Sequence, residues 1–165
     1  MSPNLAEARN FVAGLTSPVL VDSLPDGLRA LVDTTRQRIT ALGTATDLQL
    51  TVVGEDRPGP HDEVAAAAMR VAQEALANAL RHAEASRIAV TYVVLDDEIT
   101  LDIVDDGRGF DPAATERTSE HGFGLRGLDA RVRETGGVLT VESTPARGTA
   151  VAASFPLHAS DKEQP

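Results

Sequence analysis

The residues with the most chemistry in them are the carboxylates and glycines of DDGRGF, Asp105 to Phe110. An alternating apolar run, Ile99, Leu101 and Ile103, leads into this stretch, which places Asp105 where a strand ends and a glycine-bearing turn begins. Gly107 and Gly109 lack a Cβ, so the backbone there can take positive φ or let a flat ligand lie close, while Asp105 offers an acceptor at fixed depth. An adenine amine fits such an acceptor. A tight turn with solvated aspartates is the plainer reading of the same residues.

A second set lies upstream. Glu74, Asn78, Arg81 and His82 are spaced i, i+4, i+7, i+8, which places all four on a single stripe of an otherwise apolar helix. Asparagine is a poor mid-helix residue without a task. The stripe could also be simply the wet face of the helix. The third set, Gly122 to Gly127, spells GxGxxG with Glu142 downstream, but the ten residues before it are polar and no βαβ unit surrounds it, which removes the dinucleotide reading. A glycine-rich turn entering a helix still presents free N–H groups and a dipole that favour phosphate.

Other chemistries are absent or weak. No Walker A sequence occurs, and the single lysine, Lys162, stands in the C-terminal tail. His61, His82, His121 and His158 have no i, i+4 partner for a zinc site. His61-Asp62 reads as capping and surface at the mouth of a helix, with a phosphoacceptor role as the sharper alternative. The chain has no cysteine, which excludes disulfides and thiolate chemistry, and its net charge of −10 opposes general nucleic-acid or anionic-membrane binding. An anionic ligand needs a locally basic pocket or a metal ion. With no apolar run long enough to span a bilayer and no signal pattern, the expected location is cytoplasmic, including the cytoplasmic part of a membrane-anchored sensor.

The elements that must position these residues follow from periodicity. At 165 residues one core is expected. Leu5 to Leu15 gives a short amphipathic helix that calls for a partner helix. A second helix starts near Pro25 and stops at Gly43; Leu48, Leu50 and Val52 alternate as a strand; a loop covers Gly54 to Pro60. The longest helix is expected from Asp62 to Ala83. Ile88 to Val94 and Ile99 to Ile103 form an antiparallel hairpin. Asp111 to Glu120 reads as a polar flap, followed by a helix over Leu125 to Thr135, two last strands around the turn Thr144 to Gly148, and a polar tail. The expected fold is α/β: a two-layer sandwich with a mixed, mostly antiparallel sheet of about five strands and about three helices on one face.

In order and spacing, QEALANALRHA (Gln73 to Ala83), DDGRGF, HGFGLRGLDAR (His121 to Arg131) and GGVLTVESTPARGTAV (Gly136 to Val151) resemble the asparagine box, the two glycine boxes and the final strands of the GHKL (Bergerat-type) ATP-binding fold. More narrowly they look like the catalytic domain of bacterial two-component sensor histidine kinases of the nitrate-sensor and DesK-like group. The likeness covers roughly Leu24 to Leu157. It implies residues 1–21 as a remnant of a dimerisation and phosphoacceptor helix with its linker, 22–158 as the ATP-binding domain, and 159–165 as a disordered tail.

The cofactors implied are ATP and Mg²⁺. Carried onto matching positions, Asp105 accepts from the adenine amine, and Thr149 supports the same spot through its hydroxyl and an ordered water. Gly107 and Gly109 admit the base. Asn78 gives an amide oxygen to Mg²⁺, and Glu74 is the polarising or metal-shell acid, which makes these two the catalytic and metal candidates. Arg81 and His82 meet phosphates, and Gly122, Phe123, Gly124 and Leu125 hold phosphate as a lid closes, with Arg126 or Arg131 assisting. The implied reaction is transfer of the γ-phosphoryl group to a histidine on the dimerisation helices and thence to a response regulator, within a homodimer when whole. That acceptor histidine lies upstream in the family, so this chain is expected to bind ATP·Mg without phosphorylating itself. The rival readings are a GHKL serine kinase that restrains a sigma factor and a non-catalytic nucleotide-binding module. A gyrase- or chaperone-like ATPase is disfavoured, because no downstream domain supplies the lysine those enzymes use.

Overall fold

The computed structural model describes residues 23–115 and 123–157. Helix α1 (Leu24–Ala41) begins where Ser23 accepts a hydrogen bond from the Asp26 N–H, with Pro25 in the first turn where a missing N–H costs nothing. Its buried side, Leu24, Leu28, Val32, Thr35 and Ile39, repeats at helical spacing, and the Thr35 hydroxyl donates back to the Leu31 carbonyl. Gly43 ends it at φ +68, as glycine does past a helix C-terminus.

Strand β1 (Asp47–Val53) is pinned to α1 by Arg36, whose Nε donates to the Leu48 carbonyl at 3.0 Å. Helix α2 (Asp62–Asn78) then lies along the sheet, burying Val64, Ala67, Ala68, Val71, Ala72, Ala75 and Leu76. Small residues on this face let the helix axis approach the strands closely. His61 occupies the N-cap position but makes no side-chain capping bond there. The helix does not run on to Ala83 as an α-helix: Ala79–Ala83 form a π-helical turn, closed by Glu84 in the left-handed region at φ 50.

The sheet is completed by β2 (Arg87–Val94), β3 (Glu98–Asp105), β4 (Val138–Ser143) and β5 (Thr149–Pro156). Between β3 and β4 lie the short helix α3 (Pro112–Thr115) and helix α4 (Phe123–Glu134). The five strands run in the order β1-β2-β3-β5-β4, with β1 and β2 parallel and every other pairing antiparallel. This is the mixed, mostly antiparallel sheet expected, and helices α1, α2 and α4 share one face of it. The turn Pro112–Thr115 falls inside the segment read as an unpatterned flap. The expected helix over Leu5 to Leu15 and the C-terminal tail lie outside the described residues.

Alternation along each strand decides what faces the helices. Ile88, Val90, Tyr92 and Val94 on β2, Ile99, Leu101 and Ile103 on β3, and Val151, Ala153 and Phe155 on β5 are all buried. Each of the large side chains among them contributes roughly 1.5–3 kcal/mol through lost apolar hydration. The exception in this core is Tyr92, whose hydroxyl is fully enclosed and finds no hydrogen-bond partner among the described residues, so burial pushes its pKa up to about 12. Replacing it should remove a desolvation penalty while keeping the ring. Tyr92→Phe is expected to raise the unfolding free energy by about 1 kcal/mol in urea titrations followed by far-ultraviolet circular dichroism, with the slope unchanged.

Candidate functional site

The inner face changes character at one end of the sheet. The pairing register aligns Leu48 with Ile88, Ile88 with Asp105, Asp105 with Thr149, and Thr149 with Ser143. Side chains in register across adjacent strands share a face, so Asp105, Thr149 and Ser143 form a polar row where the next rows inward are apolar. The same end receives the C-terminal end of α2, because only the π turn and Glu84 to Ser86 separate that helix from the first residue of β2. The strand-end carboxylate and the asparagine-bearing helix end are thus brought to one face and one end.

Asp105 is buried, at 8% exposure. One oxygen accepts from the Gly107 N–H at 2.8 Å, and the carboxylate also accepts from the Thr149 N–H. Burial raises its pKa above the ordinary carboxylate range, the neighbouring charge of Asp106 adds to this, and the two N–H donors hold it back. Two N–H donors leave lone pairs of the carboxylate unclaimed, and no cation pairs with it among the described residues. A carboxylate so placed is suited to a neutral donor such as an amine on a flat base.

Asp106 has the opposite environment. It is exposed, and its carboxylate accepts from the Ser86 N–H at 2.9 Å, the Ser86 hydroxyl at 2.6 Å and the Arg87 N–H at 2.8 Å, while its own N–H donates to the Arg87 carbonyl. The Ser86 hydroxyl and the Arg87 N–H lower its pKa. It therefore ties the exit of the π turn to the end of β3. DDGRGF thus contains one carboxylate aimed inward and one that fixes the frame.

The β4–β5 turn closes the back of the row. The Ala146 N–H donates to the Arg108 carbonyl at 2.7 Å, and the Phe110 N–H donates to the Ser143 hydroxyl at 2.9 Å. A Cβ on Gly109 would lie 2.2 Å from the Thr144 carbonyl oxygen, and one on Gly148 would lie 2.0 Å from that of Asp105; both residues have positive φ. Of the two reasons expected for glycine here, Gly109 meets the positive φ, at +58, and the space its Cβ would fill is taken by the protein's own backbone. Gly107 is buried, with its N–H turned to Asp105.

The stripe on the long helix also needs correction. Glu74 and Asn78 are half-buried in α2, one turn apart as expected, but Arg81 and His82 follow within the π turn, where i+7 and i+8 no longer project as in an α-helix. Asn78 is the last α-helical residue before the change of pitch. Arg81 is exposed, and His82 is half-buried. Phe123, Gly124 and Leu125 form the first turn of α4, and Gly122 lies outside the described residues. Among the described residues no cluster of three or more His, Cys, Asp or Glu could hold a metal by itself. Asn78 and Glu74 carry side-chain oxygens that could serve a hard cation only if its other ligands came from elsewhere.

Sequence reasoning passed over Asp106 and Ser143. The alternation Leu139, Val141, Ser143 would have placed the serine on the inner face, and the doubled aspartate could have suggested two roles.

The model of the family described as "Histidine kinase-, DNA gyrase B-, and HSP90-like ATPase" matches residues 63–159. Sensor histidine kinase LiaS of Bacillus subtilis (strain 168) is 29% identical over 161 residues, covering 94% of this chain and 42% of LiaS. The signal transduction histidine-protein kinase/phosphatase DegS of Brevibacillus brevis is 34% identical over 155 residues, 93% of this chain and 38% of that protein. The chain thus spans less than half the length of these curated relatives. The histidine kinase domain from the Erythrobacter litoralis EL346 blue-light activated histidine kinase superposes with a TM-score of 0.61 at 23% identity, over 79% of this chain and 61% of that one, which shows a shared fold.

The close backbone approaches make a contrast measurable by thermal or urea unfolding. Gly148→Ala, which drives a methyl group into the Asp105 carbonyl, is expected to cost more than about 2 kcal/mol. Gly127→Ala, in α4 with nothing within 4 Å of the added Cβ, is expected to stabilise by about 0.5–1 kcal/mol.

Proposed function

The chain belongs to the family of histidine kinase-, DNA gyrase B- and HSP90-like ATPases, and on that premise we propose that residues 22–158 are the ATP-binding catalytic domain of a two-component sensor histidine kinase. The observation that carries this reading is the buried Asp105 carboxylate, unpaired with any cation among the described residues, at the same sheet end and on the same face as the helix end bearing Asn78.

Asp105 accepts a hydrogen bond from the exocyclic amine of adenine, and Thr149, in register beside it, supports the base through an ordered water. The apolar rows behind them exclude solvent from the base. Asn78 and Glu74 supply oxygens to Mg²⁺, which when bound spreads the phosphate charge and lowers the cost of the transfer. Glu74 also polarises the attacking imidazole. Arg81 and His82 lie beyond Asn78, toward the phosphates, and the first-turn N–H groups of α4 at Phe123, Gly124 and Leu125, with Gly122 before them, receive an anion as helix N-termini do. In the reaction the bond between the γ-phosphorus and its bridging oxygen breaks and a bond from a histidine ring nitrogen forms, leaving ADP. The acceptor histidine stands on dimerisation helices of the whole kinase, of which residues 1–21 are a remnant with its linker, and a response-regulator aspartate takes the group next.

Calorimetric titration with a non-hydrolysable ATP analogue, with and without Mg²⁺, tests the reading, and absence of binding would remove it. Asp105→Asn places an amide N–H against the adenine amine and is expected to weaken nucleotide binding by at least about 100-fold while the variant still melts cooperatively. Because burial raises the Asp105 pKa, wild-type binding should be lost on acidification at a higher pH than an ordinary carboxylate would dictate. Asn78→Asp is expected to keep metal-free nucleotide binding but to cut phosphoryl transfer to a separately supplied acceptor-helix domain, scored as acid-labile phosphoprotein, by about 100-fold or more.

A further inference from the structure

Ser143 is enclosed by three polar atoms whose demands conflict unless one proton arrangement is adopted. Its Oγ lies 2.9 Å from the Phe110 nitrogen, 3.0 Å from the Gly148 carbonyl oxygen and 3.0 Å from the Thr149 hydroxyl oxygen. A serine hydroxyl has one proton and two lone pairs. The Phe110 N–H can only donate, so it takes one lone pair. The Gly148 carbonyl can only accept, and its other nearby donor, the Thr144 N–H, is 3.5 Å away, so it takes the proton. One lone pair remains for Thr149, and the Thr149 hydroxyl must therefore donate to it.

That assignment has a consequence across the register. Thr149 stands opposite Asp105, and its N–H is already given to the Asp105 carboxylate. With the hydroxyl proton spent on Ser143, the Thr149 side chain keeps only lone pairs. Asp105 beside it is acceptor-only when ionised. Two adjacent side chains at this end of the row thus present acceptors and no donor.

We infer that Ser143 is a specificity-determining positioning residue: by holding the Thr149 hydroxyl in its acceptor orientation, it makes the base-binding end favour a base with an exocyclic amine over one with a carbonyl at the same place. This rests on the nucleotide reading above and deepens it. A free threonine hydroxyl would rotate, directly or through a bridging water, to donate to a carbonyl and soften the rejection that the Asp105 charge imposes. Ser143 removes that option without touching the base. Selectivity then resides in a chain of three side chains, Asp105, Thr149 and Ser143, contributed by β3, β5 and β4 in spatial order. Mismatch is penalised because a buried acceptor facing a carbonyl leaves both unsatisfied.

The probe pair is ATP and inosine triphosphate, which carry an amine and a carbonyl respectively at C6, with N1 bare in the first and protonated in the second; because that second difference is the same for every variant, the test reads the change in the ratio between variants. The readout is the ratio of their affinities in competition titrations. Wild type should prefer ATP by about 100-fold or more, and Ser143→Ala should lower that ratio about tenfold, with Ser143→Thr, which keeps the hydroxyl, restoring it. An unchanged ratio in Ser143→Ala, with both affinities reduced alike, would show a structural pillar only and overturn the inference. Thr149→Val provides a second route that keeps Ser143 in place. It should lower the ratio by itself, and adding Ser143→Ala to it should change the ratio no further; an undiminished ratio in Thr149→Val, or a further drop in the double variant, would overturn the inference. A wild-type chain that binds both triphosphates equally would sink this inference and leave nucleotide binding standing, whereas one that binds neither would remove the nucleotide reading and this inference with it.

Discussion

The Asp105 carboxylate sits at 8% exposure with no cation beside it among the described residues, and so unfavourable a placement of charge has to be held by its surroundings. Two backbone N–H groups do part of this, one from the glycine two residues on and one from the strand opposite. They do not cancel the burial, since the group's pKa still lies above its ordinary value. The balance leaves an acceptor that is ordered in direction and incompletely satisfied. Much of the local architecture then reads as support for that atom group: the close approach of Gly148 to the Asp105 carbonyl, the Ala146 bond to Arg108, and the hydroxyl row behind them.

The other half of the site depends on where the long helix stops being an α-helix. A π turn widens the spiral and accommodates an extra residue, so the side chains after Asn78 point differently from those before it. The turn ends with Glu84 in the left-handed region, and two residues later Ser86 is gripped by Asp106. Asp106 lies next to Asp105 in sequence, so the helix exit and the buried carboxylate share one rigid connection. A shift of the helix end has to move the end of β3 as well. That coupling gives a physical reason for two successive aspartates with opposite environments, one desolvated and raised in pKa, the other exposed, well hydrogen-bonded and lowered.

Much of this was legible in the sequence, and the parts that were not have identifiable causes. Period-two alternation gave β2, β3 and β5 and the inward side of each, because a strand's faces depend only on parity. Helix α1 was legible from its proline near the start and its glycine past the end. The π turn was not, because ALRHA carries no signal against continued α-helix. Gly109 was read as needed for positive φ or for a ligand lying close; the positive φ holds, and what could not be read was its close approach to the turn between β4 and β5, a contact between residues far apart in sequence. Ser143 was missed for a related reason. Its neighbours Phe110, Gly148 and Thr149 come from two different segments, and only the strand register assembles them.

Charge sets the remaining constraint. The chain carries −10 overall, so a polyanionic ligand is repelled at long range, yet the screening length at physiological salt is about 8 Å and only nearby groups decide the outcome. Among the described residues, Arg29, Arg36, Arg57 and Arg133 are engaged in ion pairs on exposed surface, whereas Arg81 joins no ion pair with a described residue and stands just past Asn78. Glu74 and Asp106 add negative charge to the same end. On the proposed reading, Arg81 by itself would not offset a triphosphate in those surroundings, and a divalent cation carried in with the nucleotide would be an electrostatic requirement of the site, independent of any part it has in the chemical step. On that reading the protein would need few metal ligands of its own, which accords with a helix end that carries one amide and one carboxylate.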